Sequence, residues 1–152
     1  MNMRQWAYAM LCLLWVFGVP LAAAGPAPIP SIELQIGRHA IRAEVASTQA
    51  EREHGLMGRT RLTQNAGMLF VFPETDFYAM WMKNTPLPLS VAFIDEQGAI
   101  INIAEMVPHS EKLHSAKRPA KFALEMPAGW FDRRAIGPGA KVRGLGKAPA
   151  AH

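Results

Sequence analysis

Residues 77–89 read FYAMWMKNTPLPL, an apolar run that ends abruptly in a cation, an amide and two prolines. Side chains alternate between the two faces of a strand, so the run predicts a strand from Phe77 to Met82 that is apolar, and therefore covered, on both faces. The strand would hold Lys83 and Asn84 rigidly at its end. These two residues are then either part of a binding site or the point at which a core strand reaches water.

Trp81 lies in the middle of this predicted strand, between Met80 and Met82. Large aromatic side chains on strands with two apolar faces are usually part of the core. We therefore expect Trp81 to be largely buried and central to stability.

Residues 1–24 have the pattern of a cleaved secretory signal peptide. Arg4 provides a positive start, residues 7–21 are almost wholly apolar, and residues 22–24 form an A-x-A cleavage site. The apolar run is short for a membrane span, which needs about 20 residues. We therefore expect a periplasmic protein with no stable membrane span after cleavage; an uncleaved N-terminal membrane anchor is the alternative.

The cysteine content and the charge distribution exclude several classes of function. Cys12, the only cysteine, lies inside the signal peptide, so thiol chemistry and disulfides are excluded from the exported chain. The formal net charge is +4, and the cations are scattered along the sequence. No run of them is dense enough to indicate nucleic-acid binding, and export argues against it.

The remaining chain predicts one domain. Residues 25–30 form a Pro/Ala linker, residues 31–146 a single β domain, and residues 147–152 a disordered tail. Two alternating runs, Ile32–Ile36 and Ala40–Ala46, predict a hairpin.

A short helix follows this hairpin. Thr48 and Glu51 have the spacing of a capping box, and Gly58 is a natural helix stop, which together predict a helix from about Gln49 to Met57.

The later elements are short strands. An apolar strand at residues 67–72 is expected to stop at Pro73, and residues 89–94 and 99–107 predict a hairpin around a turn that Asp95 begins. A late strand at residues 122–126 and a last one at 141–145 complete the pattern, with no βαβ alternation. These features predict a mainly β fold, an antiparallel β-sandwich, jelly-roll-like fold or small barrel, with one short helix.

Soft-metal binding is one hypothesis for the chemistry. No histidine pair has zinc-binding helix spacing. Copper(I) is the better-supported metal, because thioether ligands prefer it and six methionines follow the signal peptide. Two of them, Met80 and Met82, lie on one face of the predicted strand. The same methionines are also ordinary core residues. We predict no cofactor, and copper(I) binding is kept only as an alternative.

Hydrolysis and saccharide binding are the other hypotheses. The sequence contains no G-x-S-x-G nucleophile elbow, and a carboxylate pair of Asp95 and Glu125 has nothing in the sequence to bring it together. Saccharide binding would use Trp81, Trp130 or Tyr78 for stacking, with polar groups nearby for hydrogen bonds.

Five ordered blocks resemble the signature of the domain of unknown function 192 family. The blocks are EREHGLMGR at residues 51–59, GMLFVF at 67–72, MWMKNT at 80–85 with Pro88 and Leu89, FID at 93–95, and LE at 124–125. The resemblance extends from about Ile32 to Leu145. It implies a compact, mainly β domain, often behind a signal or anchor, and it implies no known activity.

Two positions depart from the family pattern. The family usually has an acid after the Pro-Leu pair, where this chain has Ser90, and Gly-Asp before the last strand, where it has Gly139 and Ala140. A catalytic role of either acid in the family would imply that this chain is inactive.

The candidate ligand-binding residues are those motif residues, with Trp81, that have no simple structural explanation: Arg52, Trp81, Lys83, Asn84 and Glu125. We expect a binding or accessory module for a saccharide or carboxylate-bearing ligand of the cell envelope, whether a small molecule or a polymer. An unrecognised envelope hydrolase and a copper-binding protein are the alternatives.

The A-x-A site predicts cleavage after Ala24. Mass spectrometry of the exported protein is expected to give the intact mass of a chain that begins at Gly25, because the apolar core and small residues before this point suit signal peptidase. A mass that retains residues 1–24 would contradict the signal peptide and favour the membrane anchor.

Overall fold

The computed structural model describes residues 28–152. The predicted signal peptide and the first part of the linker lie outside these residues. The described residues form a mainly β fold with one short α-helix, as predicted. The elements are β1 (Ser31–Ile36), β2 (His39–Ala46), α1 (Gln49–His54), β3 (Ala66–Asp76), β4 (Ala79–Met80), β5 (Leu89–Ile94), β6 (Ile100–Met106), β7 (His114–Ser115), β8 (Ala120–Pro127) and β9 (Val142–Arg143), with 3₁₀ turns at Asp132–Arg134 and Leu145–Lys147.

Seven strands form one curled sheet in the order β6-β5-β8-β3-β2-β1-β9, and β4 pairs separately with β7. Strands lie about 4.8 Å apart, so the outer strands of a flat sheet of this size would be about 29 Å apart. Side chains of all seven strands nevertheless share one buried cluster, including Ile100 of β6 and Val142 of β9. The sheet must therefore curl, which corresponds to the predicted small barrel.

The two edges of the sheet meet at one end. Ile100 N donates to Ala140 O (2.9 Å), Gly139 N donates to Ile100 O (2.8 Å), and Val142 N donates to Gly98 O (2.8 Å). These bonds satisfy backbone groups that an open edge would leave unpaired. The barrel is thus closed where the β5–β6 turn meets the start of β9.

The sheet has two buried faces. The interior cluster fills the curl and contains Leu34, Leu124, Met126 and Trp130 among others. The outer cluster lies on the opposite face, where Leu56 and Met82 from segments outside the main sheet cover Met68, Phe70, Val91 and Phe93 of its strands. This outer cover is the part of the fold that builds the candidate site.

Both predicted hairpins are present. β1 and β2 pair antiparallel from Ser31↔Glu44 to Ile36↔His39, and β5 and β6 pair from Leu89↔Met106 to Ile94↔Ile100. Asp95 starts the second turn as expected, because its carbonyl oxygen accepts from Gly98 N (3.0 Å) and its carboxylate accepts from Ala99 N (2.8 Å).

The capping box at Thr48 and Glu51 is also present, with each side chain accepting from the other residue's backbone N–H. The helix is shorter than predicted, because Gly55, with φ 49°, ends it at His54. The prediction of no βαβ alternation is wrong here: β2 and β3 pair parallel, from Arg42↔Ala66 to Ala46↔Phe70, and α1 lies on the crossover between them.

The predicted end of β3 at Pro73 is wrong. β3 continues to Asp76, because a shift of its register with β8 between Val71 and Asp76 accommodates a residue without an N–H.

The predicted strand from Phe77 to Met82 is wrong in most of its length. Only Ala79 and Met80 are in a strand, and they pair with β7 rather than with the main sheet. The expectation that Trp81 is largely buried is also wrong: Trp81 is 41% exposed and Phe77 is 64% exposed, whereas Met82 is fully buried. The apolar pattern was compatible with two covered faces, but the segment lies over the sheet and is covered from one side only.

The C-terminal residues lie against the domain. Ala148 and Ala151 pack against the interior cluster, and His152 N donates to Ser47 O (3.0 Å). The disordered tail at residues 147–152 stays a prediction. Within residues 28–152, no helix combines the length and apolar character that crossing a bilayer requires.

The two tryptophans of the described chain should differ in their contribution to stability. Trp130 is fully buried, donates to Asn65 Oδ1 (3.1 Å) and lies under the Arg134 guanidinium. Trp130→Ala is therefore expected to lower the free energy of unfolding by about 3–5 kcal/mol. Trp81→Ala, at a half-exposed position, should lower it by about 1 kcal/mol or less. Denaturant unfolding of both variants checks this, and equal losses would contradict the assignment of Trp130 as the core tryptophan.

Candidate functional site: a buried carboxyl under the helix

Glu125 occupies the centre of the sheet on its outer face. β8 places Leu124 and Met126 in the interior cluster, so alternation turns Glu125 to the other side. Its neighbours in register are Met68 of β3 and Val91 of β5, both fully buried. The carboxyl group therefore lies in an apolar layer.

This apolar environment changes the ionisation of Glu125. Burial, which penalises the charged form, raises the pKa of its carboxyl from 4.5 to about 8. No hydrogen bond or opposite charge within residues 28–152 contributes to this pKa, which rests on burial alone. At neutral pH the group is mostly a neutral acid that can donate one hydrogen bond and accept others.

The carboxyl group is buried but not sealed. It borders a small cavity of about 30 Å³, called here the Glu125 pocket, between α1 with the turn that follows it and residues 80–85. This volume is close to that of one water in the liquid. The pocket is lined by Arg52, Glu53, His54, Gly55, Leu56, Met57, Phe70, Met80, Trp81, Thr85 and Glu125.

Arg52 enters the pocket from the last turn of α1. Its Nη1 atom donates to the carbonyl oxygens of Ser47 and Val71 (3.1 Å to Val71). These bonds tie the helix to β3, so Arg52 has a structural role in addition to the predicted ligand-binding one. Although Arg52 and Glu125 both line the pocket, they do not form an ion pair, which leaves the pocket between two groups that can each bind a further polar atom.

Trp81 forms part of the rim of the pocket, half exposed. Lys83 lies over the indole ring, with Nζ 5.1 Å from its centroid, a cation–π contact, and is not among the lining residues.

Asn84 lies outside the pocket and has a backbone role. Its φ of 53° is the left-handed conformation that Asn tolerates, and its carbonyl oxygen accepts from Gly58 N (2.9 Å). The adjoining Thr85 is buried, and its hydroxyl donates to Lys83 O (3.1 Å). The turn at residues 82–85 thus connects one wall of the pocket to the segment that follows α1.

The structure brings together three of the five predicted site residues. Arg52, Trp81 and Glu125 line one pocket, whereas Lys83 and Asn84 lie beside it. Their roles in ligand binding stay predictions. The sequence analysis named Met57 only as one of six methionines that could bind copper(I), and it did not single out His54, which lies in the same motif block at residues 51–59.

The two departures from the family pattern lie away from the pocket. Ser90 is fully buried; its hydroxyl donates to Glu105 Oε1 (2.6 Å) and accepts from Gly129 N (2.8 Å). A carboxylate is thus present beside Ser90, supplied by the neighbouring strand. Gly139 and Ala140 form the backbone closure of the barrel.

Two larger grooves, each about 540 Å³, lie elsewhere on the surface. One runs along the β1–β2 hairpin past Arg42, and the other lies beside Glu105 and Phe131. Neither is lined by a predicted site residue or by the buried Glu125, so the smaller Glu125 pocket is the better candidate site despite its size.

A family model for the domain of unknown function 192, described as an uncharacterized ACR, matches residues 32–144. The chain belongs to the domain of unknown function 192 family. This confirms the resemblance drawn from the five sequence blocks, and the family's description assigns no activity. None of the curated proteins compared with the chain matches it.

Two solved structures are similar to this member of the family. One is a Sinorhizobium meliloti 1021 protein, provisionally described as a transcription regulator, with 36% identity and a TM-score of 0.76 over 80% of this chain and 99% of the other. The second is a protein of unknown function from Novosphingobium aromaticivorans, with 36% identity and a TM-score of 0.74 over 80% of this chain and 94% of the other. Both agree with the fold.

Glu125 should make the stability of the protein depend on pH. Below pH 4.5 the carboxyl is protonated in both the folded and the unfolded state. Between pH 4.5 and about 8 the unfolded state loses the proton while the folded state keeps it, so stability falls as pH rises, by up to about 5 kcal/mol. Glu125→Gln, which cannot ionise, should remove this loss and be the more stable protein at pH 8.5.

Denaturant unfolding at pH 4.5, 6.5 and 8.5 measures the effect. Glu96→Gln, at an exposed position in the β5–β6 turn, is the control and should keep the pH dependence of the original protein. An unchanged pH dependence in Glu125→Gln would mean that the folded protein holds Glu125 ionised.

Proposed function

We propose that this protein is an exported binding module whose ligand places one small polar group or ion in the Glu125 pocket. The observation that carries the proposal is the buried carboxyl group of Glu125, which borders a pocket. Burial raises its pKa, and among the described residues no hydrogen bond or charge lowers that pKa again. Because this carboxyl group is buried in an apolar layer and borders a cavity, a polar atom that enters the cavity would find a hydrogen-bond partner there.

The walls of the pocket support a ligand rather than only a water. Arg52 supplies donors, and neutral Glu125 supplies a donor and an acceptor. Trp81 adds an exposed aromatic surface at the rim. This combination suits a saccharide that inserts a single hydroxyl group while its ring packs on Trp81.

The expected carboxylate-bearing ligand has less support. Lys83, which was expected to bind it, is not among the residues that line the pocket, and an anion would meet the carboxyl of Glu125 inside it. Repulsion would grow as the pH approaches 8 and Glu125 ionises. The ligand is therefore neutral or cationic at the group that enters.

Export is the second part of the proposal and rests on the signal-peptide pattern of residues 1–24. A periplasmic location would give the module access to envelope saccharides. It also separates this chain from DNA, so the description of the Sinorhizobium protein as a transcription regulator is not carried over.

A saccharide probe tests the site. The β-1,4-linked trisaccharide of N-acetylglucosamine is expected to shift backbone amide NMR signals of Trp81, Thr85 and their neighbours. Trp81→Ala should weaken binding by about tenfold or more, because it removes the packing surface. Phe77→Ala is the matched control, since Phe77 is an exposed aromatic of the same segment that does not line the pocket.

Shifts confined to the larger grooves would contradict the assignment of the site. Equal weakening by Trp81→Ala and Phe77→Ala would show that the probe packs on the exposed segment in general and not at the pocket.

A further inference from the structure

Two methionines of the described chain differ from the other four. Met68, Met82, Met106 and Met126 are buried in the two clusters and act as ordinary core residues. The other two, Met57 and Met80, are partly exposed and line the same pocket. Met80 also packs against the outer cluster, whereas Met57 belongs to neither cluster, and the two residues line the pocket from opposite walls.

The first thioether has a histidine beside it. His54 is the last residue of α1, and Met57 follows in the next turn, with Met57 N donating to His54 O (3.1 Å). This hydrogen bond closes a four-residue turn, which keeps the Cα atoms of the two residues within about 7 Å of each other. Both line the Glu125 pocket.

The second thioether comes from the opposite wall and has an aromatic ring beside it. β4 holds Met80 in register with His114 of β7, and Trp81 follows directly after the strand. Because the chain leaves the strand at this point, the two consecutive side chains both line the pocket instead of alternating away from each other.

We propose that this pocket binds a soft monovalent metal ion, copper(I), through His54, Met57 and Met80, with the face of Trp81 against the ion. The inference rests on the proposed function, because it names the ligand of the same pocket. Thioethers select copper(I) among biological metals, and imidazole is a suitable third ligand. An indole ring attracts a cation placed over its face, and because Lys83 Nζ already lies over one face of Trp81, the ion would contact the other.

The size and donor set of the pocket favour this ion over the other candidates. A cavity of about 30 Å³ has room for one ion, whereas a sugar could insert only a hydroxyl group. Within residues 28–152, no three His, Cys, Asp or Glu side chains are grouped to hold a metal, so the donors that zinc prefers are not assembled.

The test measures copper(I) affinity by competition with bicinchoninate under anaerobic, ascorbate-reduced conditions. All proteins are the exported chain that begins at Gly25, which contains no thiol and, of the nine methionines in the sequence, only the six of the described residues. Met57→Leu and Met80→Leu remove sulfur while nearly conserving volume. Met126→Leu makes the same change in the interior cluster and is the matched control.

Each pocket variant is expected to weaken copper(I) binding by at least about tenfold, and the double variant further, with Met126→Leu unchanged. Silver(I), which needs no reductant, should quench the Trp81 fluorescence, and Trp81→Phe should lose this quenching. Zinc should not compete.

Equal copper(I) affinity in the double variant and in the Met126→Leu control would overturn the metal site. If the trisaccharide still shifts the pocket signals in that case, the binding module stands and only the ligand assignment fails. If neither copper(I) nor the trisaccharide perturbs the pocket, both proposals fail.

Discussion

Backbone hydrogen bonds join the segments that precede β6 and β9, at the two edges of the seven-stranded sheet. This closure lets side chains from all seven strands fill the inside of the curl, with Trp130 among them, so the interior face needs no second layer. The closure does not bury the opposite face of the sheet. This face is equally apolar, and only segments between the strands are available to cover it.

That outer cover is made of short pieces held by backbone-directed hydrogen bonds. α1 contributes no fully buried residue, and Leu56 and Met82 supply the apolar contacts on either side. Arg52 ties α1 to Val71 O, and the carbonyl of Asn84 accepts from Gly58 N. The two pieces meet above Glu125 without closing completely. The pocket is therefore the gap between these two segments, and the contacts that position it also stabilise the fold.

Local signals in the sequence predicted the local elements well. The turn at Asp95 and the cap at Thr48 depend on neighbouring residues, and both are present in the structure. The prediction of a strand from Phe77 to Met82 was wrong, because an apolar run does not show whether one face or both faces are covered. Which faces are covered depends on segments that are distant in the sequence. Arg52, Trp81 and Glu125 were singled out by resemblance, and physical pattern alone could not bring them together. The pKa of Glu125 likewise depends on neighbours in β3 and β5.

The position of β3 in the sheet has a consequence for folding kinetics. Its antiparallel partner is β8, and Leu69 pairs with Leu124, which is 55 positions further along the chain. Pairings this distant in sequence form slowly, because a long loop must be ordered before the contact is made. Until β8 arrives, the apolar run at residues 67–72 has an unpaired edge that could join another chain. The proline and the acids that follow it, Pro73, Glu74 and Asp76, are residues that oppose such aggregation, so the exposed end of β3 protects the nascent protein while the centre of its sheet is incomplete.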